Sequence, residues 1–406
     1  MTRVAVTGLG VKTPAGSDLD GFWATLAAGR STAGPLTRID PTPLPVRFGA
    51  EVADFDAGAY IGPKEARRMD RVTQLGFAAA ADALADAGEL RLDPARGAVV
   101  VGTGVGGIIT LEEQIVEYEN RGAARVSPFL VPMMMANATA ATIAMHFGWT
   151  GPNFCISTAC AASAHAVGEA ARLVRSGDAD VVLAGGAESC ITPTVISAFA
   201  RMRALSTRND DPEHASRPFD ADRDGFVMGE GGAALVLESW DRAVARGARI
   251  YGEVAGYGRN ADAFHITAPS PGGEGASACM QLALDDAGLL ASEIGHVNAH
   301  GTSTPLNDAA EAEALRKVFG ESLPPVTSTK GVTGHLIGAA GATEAVACLL
   351  ALRHEAIPPT ANLERIGDDI GLDVVTGTAR PAPARPVLSN SFGFGGHNAA
   401  LIFTAP

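Results

Sequence analysis

The sequence predicts an α/β protein that is built from two similar halves. Of its 406 residues, 47% are hydrophobic but only 5% are aromatic, so Ala, Val, Leu and Ile are expected to fill the core between layers. Consecutive apolar residues at 98–101 and 181–185 are typical of strands covered on both faces of a sheet. An internal duplication predicts a boundary near residues 246–249, and hence halves at 1–247 and 248–406.

The duplication is indicated by two pairs of similar segments in the same order. Residues 163–170 resemble residues 338–345, and residues 229–237 resemble residues 393–403. One such pair could arise by chance in a chain with 48 glycines, but two pairs in register indicate a repeated α/β unit. A functional site at the junction of the two halves is therefore the first expectation.

Local patterns predict the other elements. Residues 3–7 are expected to form a strand that ends at Gly8. The Ala-rich segment 69–87 is amphipathic, so it is predicted to be a helix, which Gly88 ends. The remaining predictions are a short helix at 22–28, a loop at 31–60, a Met-rich helix at 132–146, a strand at 151–156, a buried helix at 164–175 and a pair of strands at 224–238.

Cysteine usage, hydropathy and charge argue against several classes of protein. The five cysteines are odd in number and lack metal-type spacing, so neither a disulfide framework nor a metal site is expected, and a reducing compartment such as the cytoplasm fits best. No segment has the length and apolar character of a signal peptide or a membrane span, so no membrane association is expected. The net charge of −14 argues against general nucleic-acid binding.

A candidate nucleophile, Cys160, lies in the small-residue segment 156–163 between a strand and an Ala-rich helix. The unpaired N–H groups and the dipole at the start of a helix lower the pKa of a nearby thiol, so a thiolate near neutral pH is expected. Small residues on both sides would let a substrate reach the sulfur. The alternative is a small buried apolar cysteine without a chemical role.

A glycine-rich segment, residues 102–107, follows a predicted strand and formally matches a dinucleotide fingerprint. No strand ending in an acidic ribose ligand follows it, and Pro14 interrupts a weaker copy that begins at Gly8. We therefore interpret both segments as tight turns and expect no nucleotide cofactor.

Two of the nine histidines lie at the ends of predicted elements. His300 follows a strand, and His335 precedes the second-half helix, close to the position that Cys160 has in the first half. Each histidine alone could be structural, but pseudo-symmetric helix starts would bring sulfur and imidazole together. Lys330 and Glu344 flank His335 and are either an ordinary ion pair or part of a buried network at the site.

Two further segments have open interpretations. Residues 390–398 are too rich in glycine for a plain strand, and we interpret them as a loop that is mobile or closely approached. Near the N-terminus, basic residues cluster on an otherwise acidic chain and form either a solvated helix face or a docking surface for an acidic partner. This cluster contains Lys64, Arg67, Arg68 and Arg71.

Together these motifs resemble the β-ketoacyl-[acyl-carrier-protein] synthases, in particular the elongating type II members, over nearly the whole chain. The resemblance implies the thiolase fold, in which two similar α/β halves stack in five layers, α-β-α-β-α, and it implies a dimer. The motifs that carry it are residues 158–160, 223–226, 300–304, 328–330, 334–335 and 390–396.

The resemblance implies a decarboxylative Claisen condensation. It assigns Cys160 as the nucleophile that takes the acyl group from the phosphopantetheine of an acyl carrier protein, and His300 and His335 as the pair that drives malonyl decarboxylation. It implies no metal or redox cofactor. It also implies that Lys330 and Glu344 orient His335, and that the N–H groups of Cys160 and Phe394 form an oxyanion hole. Phe226 and Phe394 are implied to gate the site, and Lys64, Arg67 and Arg68 to dock the carrier protein. The implied substrate contacts are Thr302, Thr304, Phe226, Phe392, Val105 and Met134.

The pathway stays open at this point. His397 stands where many relatives have Thr, and Val105 where fatty-acid enzymes often have Ile, so chain specificity is open. Besides a fatty-acid homodimer, the resemblance allows the catalytic subunit of a type II polyketide synthase that pairs with a chain-length factor. A coenzyme A thiolase would need a second catalytic cysteine near the C-terminal glycine loop, and none follows Cys348. A scaffold without activity would not be expected to keep the sulfur and both imidazoles.

Overall fold

The computed structural model describes residues 2–406, and a mixed sheet of ten strands forms its centre. Two pairs of short strands lie outside this sheet. In chain order the strands are β1 (Val4–Lys12), β2 (Gly34–Pro35), β3 (Phe48–Gly49), β4 (Gly97–Gly102), β5 (Asn153–Ile156), β6 (Val181–Glu188), β7 (Gly231–Ser239), β8 (Gly252–Ala261), β9 (His296–Asn298), β10 (Val326–Thr327), β11 (Ala356–Ile357), β12 (Arg380–Pro381), β13 (Val387–Gly393) and β14 (His397–Thr404).

Helices cover both faces of the sheet. Over residues 2–406, none of them combines the length and the apolar character that crossing a membrane requires. In chain order they are α1 (Leu19–Ala27), α2 (Gly58–Ile61), α3 (Pro63–Ala66), α4 (Arg71–Ala87), α5 (Ile108–Arg121), α6 (Leu130–Met134), α7 (Ala138–Phe147), α8 (Ala162–Ser176), α9 (Pro193–Arg201), α10 (Trp240–Ala245), α11 (Glu274–Ala287), α12 (Pro305–Phe319), α13 (Lys330–Thr333) and α14 (Ala340–His354).

The strand order divides into two equivalent sets of five. The front set runs β1-β7-β6-β4-β5 and the rear set runs β8-β14-β13-β9-β10. In each set the first two pairings are antiparallel and the last two are parallel. This is the arrangement that a duplicated unit produces. The sets join where β1 meets β8. The predicted boundary at residue 247 lies between α10 and β8 and stays a prediction.

The two sets of strands enclose a central helical layer. Helices α8 and α14 contact each other and strands of both sets, whereas α4 packs outside the front set and α11 outside the rear set. The layers are therefore α-β-α-β-α. The two central helices cross closely: Ser163 accepts a hydrogen bond from the N–H of Ala342 at 2.9 Å, and a Cβ on Gly341 would lie 2.6 Å from Ala164.

Four predicted elements are wrong in detail. The strand expected to end at Gly8 continues to Lys12, so the weaker glycine motif lies inside β1 and not in a tight turn. The segment 390–398 is a loop only at 394–396, because β13 and β14 extend into it from both sides.

The helix expected at 132–146 is interrupted after α6, because Met135 has extended backbone angles, and it resumes as α7. The pair of strands expected at 224–238 is the single strand β7. Its first part instead forms isolated bridges, from Phe226 to Leu205 and from Met228 to His335, because it lines the site rather than the sheet.

The buried imidazole of His296 makes the stability of this fold dependent on pH. Its residue is 4% exposed on β9, and within residues 2–406 neither ring nitrogen has a hydrogen-bond partner. Burial lowers the pKa of His296 from the ordinary 6.5 to about 3. Above the ordinary value both the folded and the unfolded chain hold a neutral imidazole. As pH falls toward 3, only the unfolded chain gains the proton, so stability falls.

We expect His296→Leu to remove this contribution. Between about pH 7.5 and pH 5, wild type should lose about 2 kcal/mol of unfolding free energy more than the variant, in addition to losses common to both proteins. Urea unfolding at the two pH values measures the difference. The exposed residue His214 provides a control, and His214→Leu should lose as much as wild type. An equal loss in His296→Leu and wild type would contradict the assignment.

Candidate active site

The nucleophile candidate lies in a short 3₁₀ turn, Ala159–Ala161, between β5 and α8. Ala159 has a φ of 50°, in the left-handed region that non-glycine residues rarely adopt. Such strained positions are concentrated at functional sites. Cys160 is buried and packs in an apolar cluster that includes Phe226 and Ile337, so its sulfur faces an interior lined by both halves.

The buried environment keeps the sulfur protonated in the free site. Burial raises the pKa of Cys160 to about 11, and the charge of Lys330 and the N–H group of Phe394 oppose this rise only in part. The prediction of a thiolate near neutral pH is therefore wrong for the free site, because removal from water outweighs the nearby donors. The proton must leave when the sulfur reacts.

Two histidines from the rear half meet this sulfur. His300 follows β9 and His335 follows α13, and their ring centroids lie 5.4 Å apart at an angle of 84°. One ligand-type atom from each histidine and the sulfur of Cys160 all lie within 4.8 Å of one another, a spacing that could also hold a metal ion. The structure thus brings together the three groups that the sequence analysis weighed jointly.

The pseudo-symmetric counterpart of Cys160 is Gly338 rather than His335. A matching 3₁₀ turn, Ile337–Ala339, precedes α14, and Ile337 has a φ of 46°, close to that of its counterpart Ala159. His335 therefore lies three residues before the position that is equivalent to Cys160, so the predicted equivalence of the two residues is only approximate. The two still meet, because both turns lie at the crossing of the central helices.

Lys330 and Glu344 form a buried pair, but they contact His300 rather than His335. The ammonium group of Lys330 contacts the Glu344 carboxylate, donates to the backbone oxygen of His300 at 2.6 Å and lies 3.4 Å from its Nδ1. Within residues 2–406, Nδ1 of His335 has no hydrogen-bond partner. The prediction that this pair orients His335 is therefore wrong, because the lysine side chain ends at the other imidazole.

Both imidazoles are neutral near pH 7. Burial lowers the pKa of His300 and of His335 well below the ordinary 6.5, and the charge of Lys330 adds to both shifts. An ammonium group can only donate, so Nδ1 of His300 accepts from it and the ring hydrogen lies on Nε2. The same lysine thus selects the tautomer that presents an N–H group on the far side of the ring.

Two acidic residues of α12 that the sequence analysis missed hold the His300 loop. Glu311 accepts hydrogen bonds from the N–H groups of His300 and Gly301, both at 2.8 Å. Asp308 accepts from the N–H group of Thr302 at 3.0 Å. Both carboxylates are buried. Their spacing of three residues, early in a helix that follows the polar loop directly, is the signal that could have found them.

The backbone N–H groups of Phe394 and Cys160 lie close enough to the sulfur of Cys160 to lower its pKa, in opposition to burial. The β13–β14 connection lies directly on the nucleophile turn, since a Cβ on Gly393 would lie 2.6 Å from the oxygen of Thr158 and 3.2 Å from the nitrogen of Cys160. Only glycine permits this approach. A pair of donors next to the sulfur is what an oxyanion hole requires, and this role of Cys160 and Phe394 stays a prediction.

Aromatic rings surround the imidazoles. Phe226 packs edge-on against His335 with ring centroids 5.3 Å apart, and Phe392 lies 5.9 Å from the other imidazole. Phe199, which the sequence analysis did not single out, contacts both Phe226 at 5.4 Å and Phe394 at 6.4 Å. These rings exclude water from the reacting groups, and they lie on separate elements whose proximity the sequence does not reveal.

The other predicted substrate contacts lie at the edge of the site. The hydroxyl groups of Thr302 and Thr304 are 2.9 Å apart, and Thr304 is partly exposed. The two predicted acyl-pocket residues are not enclosed by this chain: Val105 is 48% exposed, and Met134 is half-buried, with its carbonyl accepting from Gly107. A pocket wall at this point would need a covering surface.

The basic cluster divides into two parts. Lys64, Arg67 and Arg68 are exposed on and directly after α3, and the guanidinium of Arg68 lies 4.7 Å from the ring of Phe129. Arg71 is instead buried and pairs with a carboxylate at 2.7 Å, so it belongs to the interior. The exposed surface therefore consists of three cations.

Comparison with known proteins agrees with this geometry. Family models described as β-ketoacyl synthase, N-terminal domain, and β-ketoacyl synthase, C-terminal domain, match residues 1–243 and 251–364. The 3-oxoacyl-[acyl-carrier-protein] synthase 2 of Synechocystis sp. is 48% identical, over 99% of this chain and 97% of that protein.

Solved structures show the same similarity. The ishigamide ketosynthase/chain length factor structure matches with a TM-score of 0.95 and 38% identity, covering 100% of this chain and 99% of that one. A β-ketoacyl synthase from Burkholderia phymatum matches with a TM-score of 0.94 and 38% identity over 100% of both chains. Fold and site thus define an acyl-transferring enzyme of the thiolase fold. The chain belongs to the β-ketoacyl synthase family.

Proposed function

We infer that this protein is an elongating β-ketoacyl-[acyl-carrier-protein] synthase that condenses a malonyl unit with an acyl chain held as a thioester on Cys160. The observation that carries the inference is the meeting of one sulfur and two neutral imidazoles in a buried site between the halves. The near-complete match to a 3-oxoacyl-[acyl-carrier-protein] synthase 2 supports it.

Acyl transfer begins at the Cys160 thiol. The sulfur attacks the acyl thioester, its bond to the carbonyl carbon forms, and the bond to the pantetheine sulfur breaks. Because burial keeps the thiol protonated, an imidazole takes its proton and returns it to the leaving pantetheine thiolate, so no proton is gained or lost. The N–H groups of Cys160 and Phe394 hold the oxyanion that forms between these events.

Carbon–carbon bond formation uses the two histidines. The malonyl carboxylate leaves as carbon dioxide, and the electron pair of the broken bond becomes an enolate. N–H groups of His300 and His335 stabilise its oxygen, and Lys330 keeps His300 in the donating tautomer. The carbanion attacks the acyl-Cys160 carbonyl, the carbon–sulfur bond breaks, and the released thiolate takes one proton from solvent.

No metal or redox cofactor enters this proposal, because the loss of carbon dioxide supplies the driving force. The phosphopantetheine arm arrives on the carrier protein. We place the reaction in the cytoplasm, which the five free cysteines support.

The direct test is turnover of the purified protein with malonyl-carrier protein and a panel of acyl-carrier proteins, saturated and polyunsaturated, read by mass spectrometry. The expected product is the β-ketoacyl-carrier protein, longer by two carbons, with release of carbon dioxide. Carbon dioxide release without any carbon–carbon bond formation across the panel would contradict the proposal.

We propose that a second subunit covers the outer edge of β5. This strand ends the front set, and Phe154 on it is 38% exposed. Helices α5 and α6 and the residues that flank α6 expose further apolar side chains, and a covering surface would also close the pocket at Val105. These side chains are Ile115, Val116, Tyr118, Phe129, Val131 and Met135.

Two kinds of second subunit fit this surface. A second copy of the chain suits fatty-acid elongation, which the Synechocystis relative favours. A chain-length-factor subunit suits a polyketide pathway, which similarity to a ketosynthase/chain length factor structure favours. Native mass and activity of the chain expressed alone separate them: an active homodimer supports the first, and an inactive, unstable chain supports the second.

The three exposed cations provide a docking prediction for the acidic carrier protein. Reversing both Arg67 and Arg68 to Glu should raise the KM for acyl-carrier protein about tenfold, with kcat nearly unchanged, because the pair acts in encounter rather than chemistry. The increase should shrink when salt is raised from about 50 to 300 mM. Reversal of exposed Arg91, beyond the far end of α4, is the control. An unchanged KM in the double variant would exclude this surface as the docking site of the carrier protein.

A further inference from the structure

Glu188 is a buried carboxylate that the proposed reaction does not use. It ends β6 and is fully buried. Its carboxylate accepts hydrogen bonds from the N–H group of Gly104 at 2.6 Å, the hydroxyl of Thr103 at 3.1 Å and the N–H group of Gly338 at 3.1 Å. Among the ion pairs of residues 2–406 none involves Glu188, so backbone and hydroxyl donors, including the N–H group of Val105, offset the cost of burying its charge.

The carboxylate lies where two backbone turns are pressed together. A Cβ on Gly104 would lie 2.6 Å from the carboxylate and 3.0 Å from Ile337, and a Cβ on Gly338 would overlap the backbone nitrogen of Gly104. One turn belongs to the front half and carries Val105. The other belongs to the rear half and carries Ile337, which packs in the same apolar cluster as the nucleophile.

The front turn is also bonded to the segment that leads to the nucleophile. The hydroxyl of Ser157 donates to the oxygen of Gly104 at 3.2 Å, and the hydroxyl of Thr103 accepts from the N–H group of Gly106 at 3.2 Å. A shift of this turn would therefore be transmitted both to the side chain of Val105 and to the strand end before Cys160.

Pseudo-symmetry relates the contact between Glu188 and Gly338 to the nucleophile turn of the front half. Gly338 is the counterpart of Cys160, whose N–H group lies close to the reacting sulfur. In the rear turn the equivalent N–H group is bonded to the Glu188 carboxylate instead. The rear turn is thus closed by a side chain at the place where the front turn is open to substrate.

We propose that Glu188 is a positioning residue that sets acyl-chain selectivity. By bonding both turns, it fixes the turn that carries Val105 relative to Ile337, which packs in the cluster of Cys160, and in this proposal the apolar chain of the acyl thioester runs between the two. The proposal rests on the proposed function, since it concerns an acyl group on Cys160. It places no part of malonyl decarboxylation on Glu188, because that step occurs at the two imidazoles.

The pKa and the hydrogen bonds of the Glu188 carboxylate support the proposal. Burial raises the pKa of Glu188 to about 7, and the backbone donors of both turns oppose the rise. An amide at this position keeps the volume, and its oxygen can still accept from the N–H groups of Gly104 and Gly338, but its NH₂ group then faces the Thr103 hydroxyl, which loses its acceptor. Glu188→Gln should therefore loosen the front turn without emptying the site.

The test compares acylation of Glu188→Gln and wild type by dodecanoyl- and hexanoyl-carrier protein. We expect the ratio of the two kcat/KM values to change by at least about fivefold, while malonyl decarboxylation stays within about twofold. Thr103→Val, which removes one donor, should shift the ratio in the same direction. Glu238→Gln on β7, a buried carboxylate at the opposite end of the front sheet, should keep the wild-type ratio.

Three outcomes are decisive. An unchanged ratio in folded Glu188→Gln and Thr103→Val overturns the proposal. A parallel loss of all acylation and of decarboxylation, with a lowered melting temperature, also overturns it, because that result describes a purely structural residue. If wild type itself forms no condensation product, the proposed function fails instead. Acylation can be measured without condensation, so the ratio of acylation rates still tests the selectivity proposal separately.

Discussion

Replacing Cys160 by Ala is expected to abolish condensation while leaving malonyl decarboxylation measurable. The sulfur supplies the covalent bond that holds the acyl chain, and no other nucleophile lies among the grouped side chains. Condensation should fall by at least about 1,000-fold, as expected when a covalent step is lost. His300 and His335 remain, so carbon dioxide release from malonyl-carrier protein should continue. Product mass spectra and labelled carbon dioxide measure the two reactions separately.

A matched cysteine distinguishes lost chemistry from lost packing. Cys279 is buried even more completely than Cys160 but lies on α11, outside the site, so Cys279→Ala should keep condensation within about threefold of wild type. Condensation at the wild-type rate by Cys160→Ala would mean that the acyl chain is held elsewhere. A complete loss of decarboxylation in that variant would mean that the sulfur also belongs to the decarboxylation step.

The meeting of sulfur and imidazoles could be predicted because it depends on topology. Two segment repeats indicate a duplication, and a duplication places equivalent helix starts at one junction. This argument needs only the order of elements. It predicted that the sulfur and the imidazoles meet, and they do, even though His335 lies three residues before the true counterpart of Cys160. Backbone symmetry is preserved better than the position of any one side chain.

The electrostatics of the site could not be predicted, because they depend on side chains that are distant in sequence. Burial of Cys160 comes from Phe226 and Ile337, which lie 66 and 177 residues further along the chain, and this burial reverses the expected direction of its pKa. The enclosure of Val105, which is 48% exposed, would likewise depend on the proposed second subunit. The spacing of residues within one segment predicts neither the burial of Cys160 nor the exposure of Val105.

The pairing of Lys330 with Glu344 was predicted, but the histidine that Lys330 contacts was predicted wrongly for the same reason, and this buried pair gives the second large effect. Lys330→Met should lower the unfolding free energy by about 3–5 kcal/mol, because it leaves the Glu344 carboxylate buried without its cation. Both side chains are nearly inaccessible, so solvent cannot replace the lost contact. Malonyl decarboxylation should fall by about 100-fold, since His300 loses the donor that fixes its tautomer.

The double variant Lys330→Met/Glu344→Gln separates the two losses. Removing the stranded charge should restore at least half of the unfolding free energy, whereas decarboxylation should stay at the level of the single variant. The pKa of Glu344 is already raised to about 7, and without Lys330 it rises further. The folded single variant therefore binds this proton at a higher pH than folded wild type does, so its stability deficit should shrink as pH falls toward about 7 and stay constant below it, where both folded proteins hold the proton. Recovery of decarboxylation together with stability would show that Lys330 acts on the fold alone and leaves the orientation of His300 to Glu311.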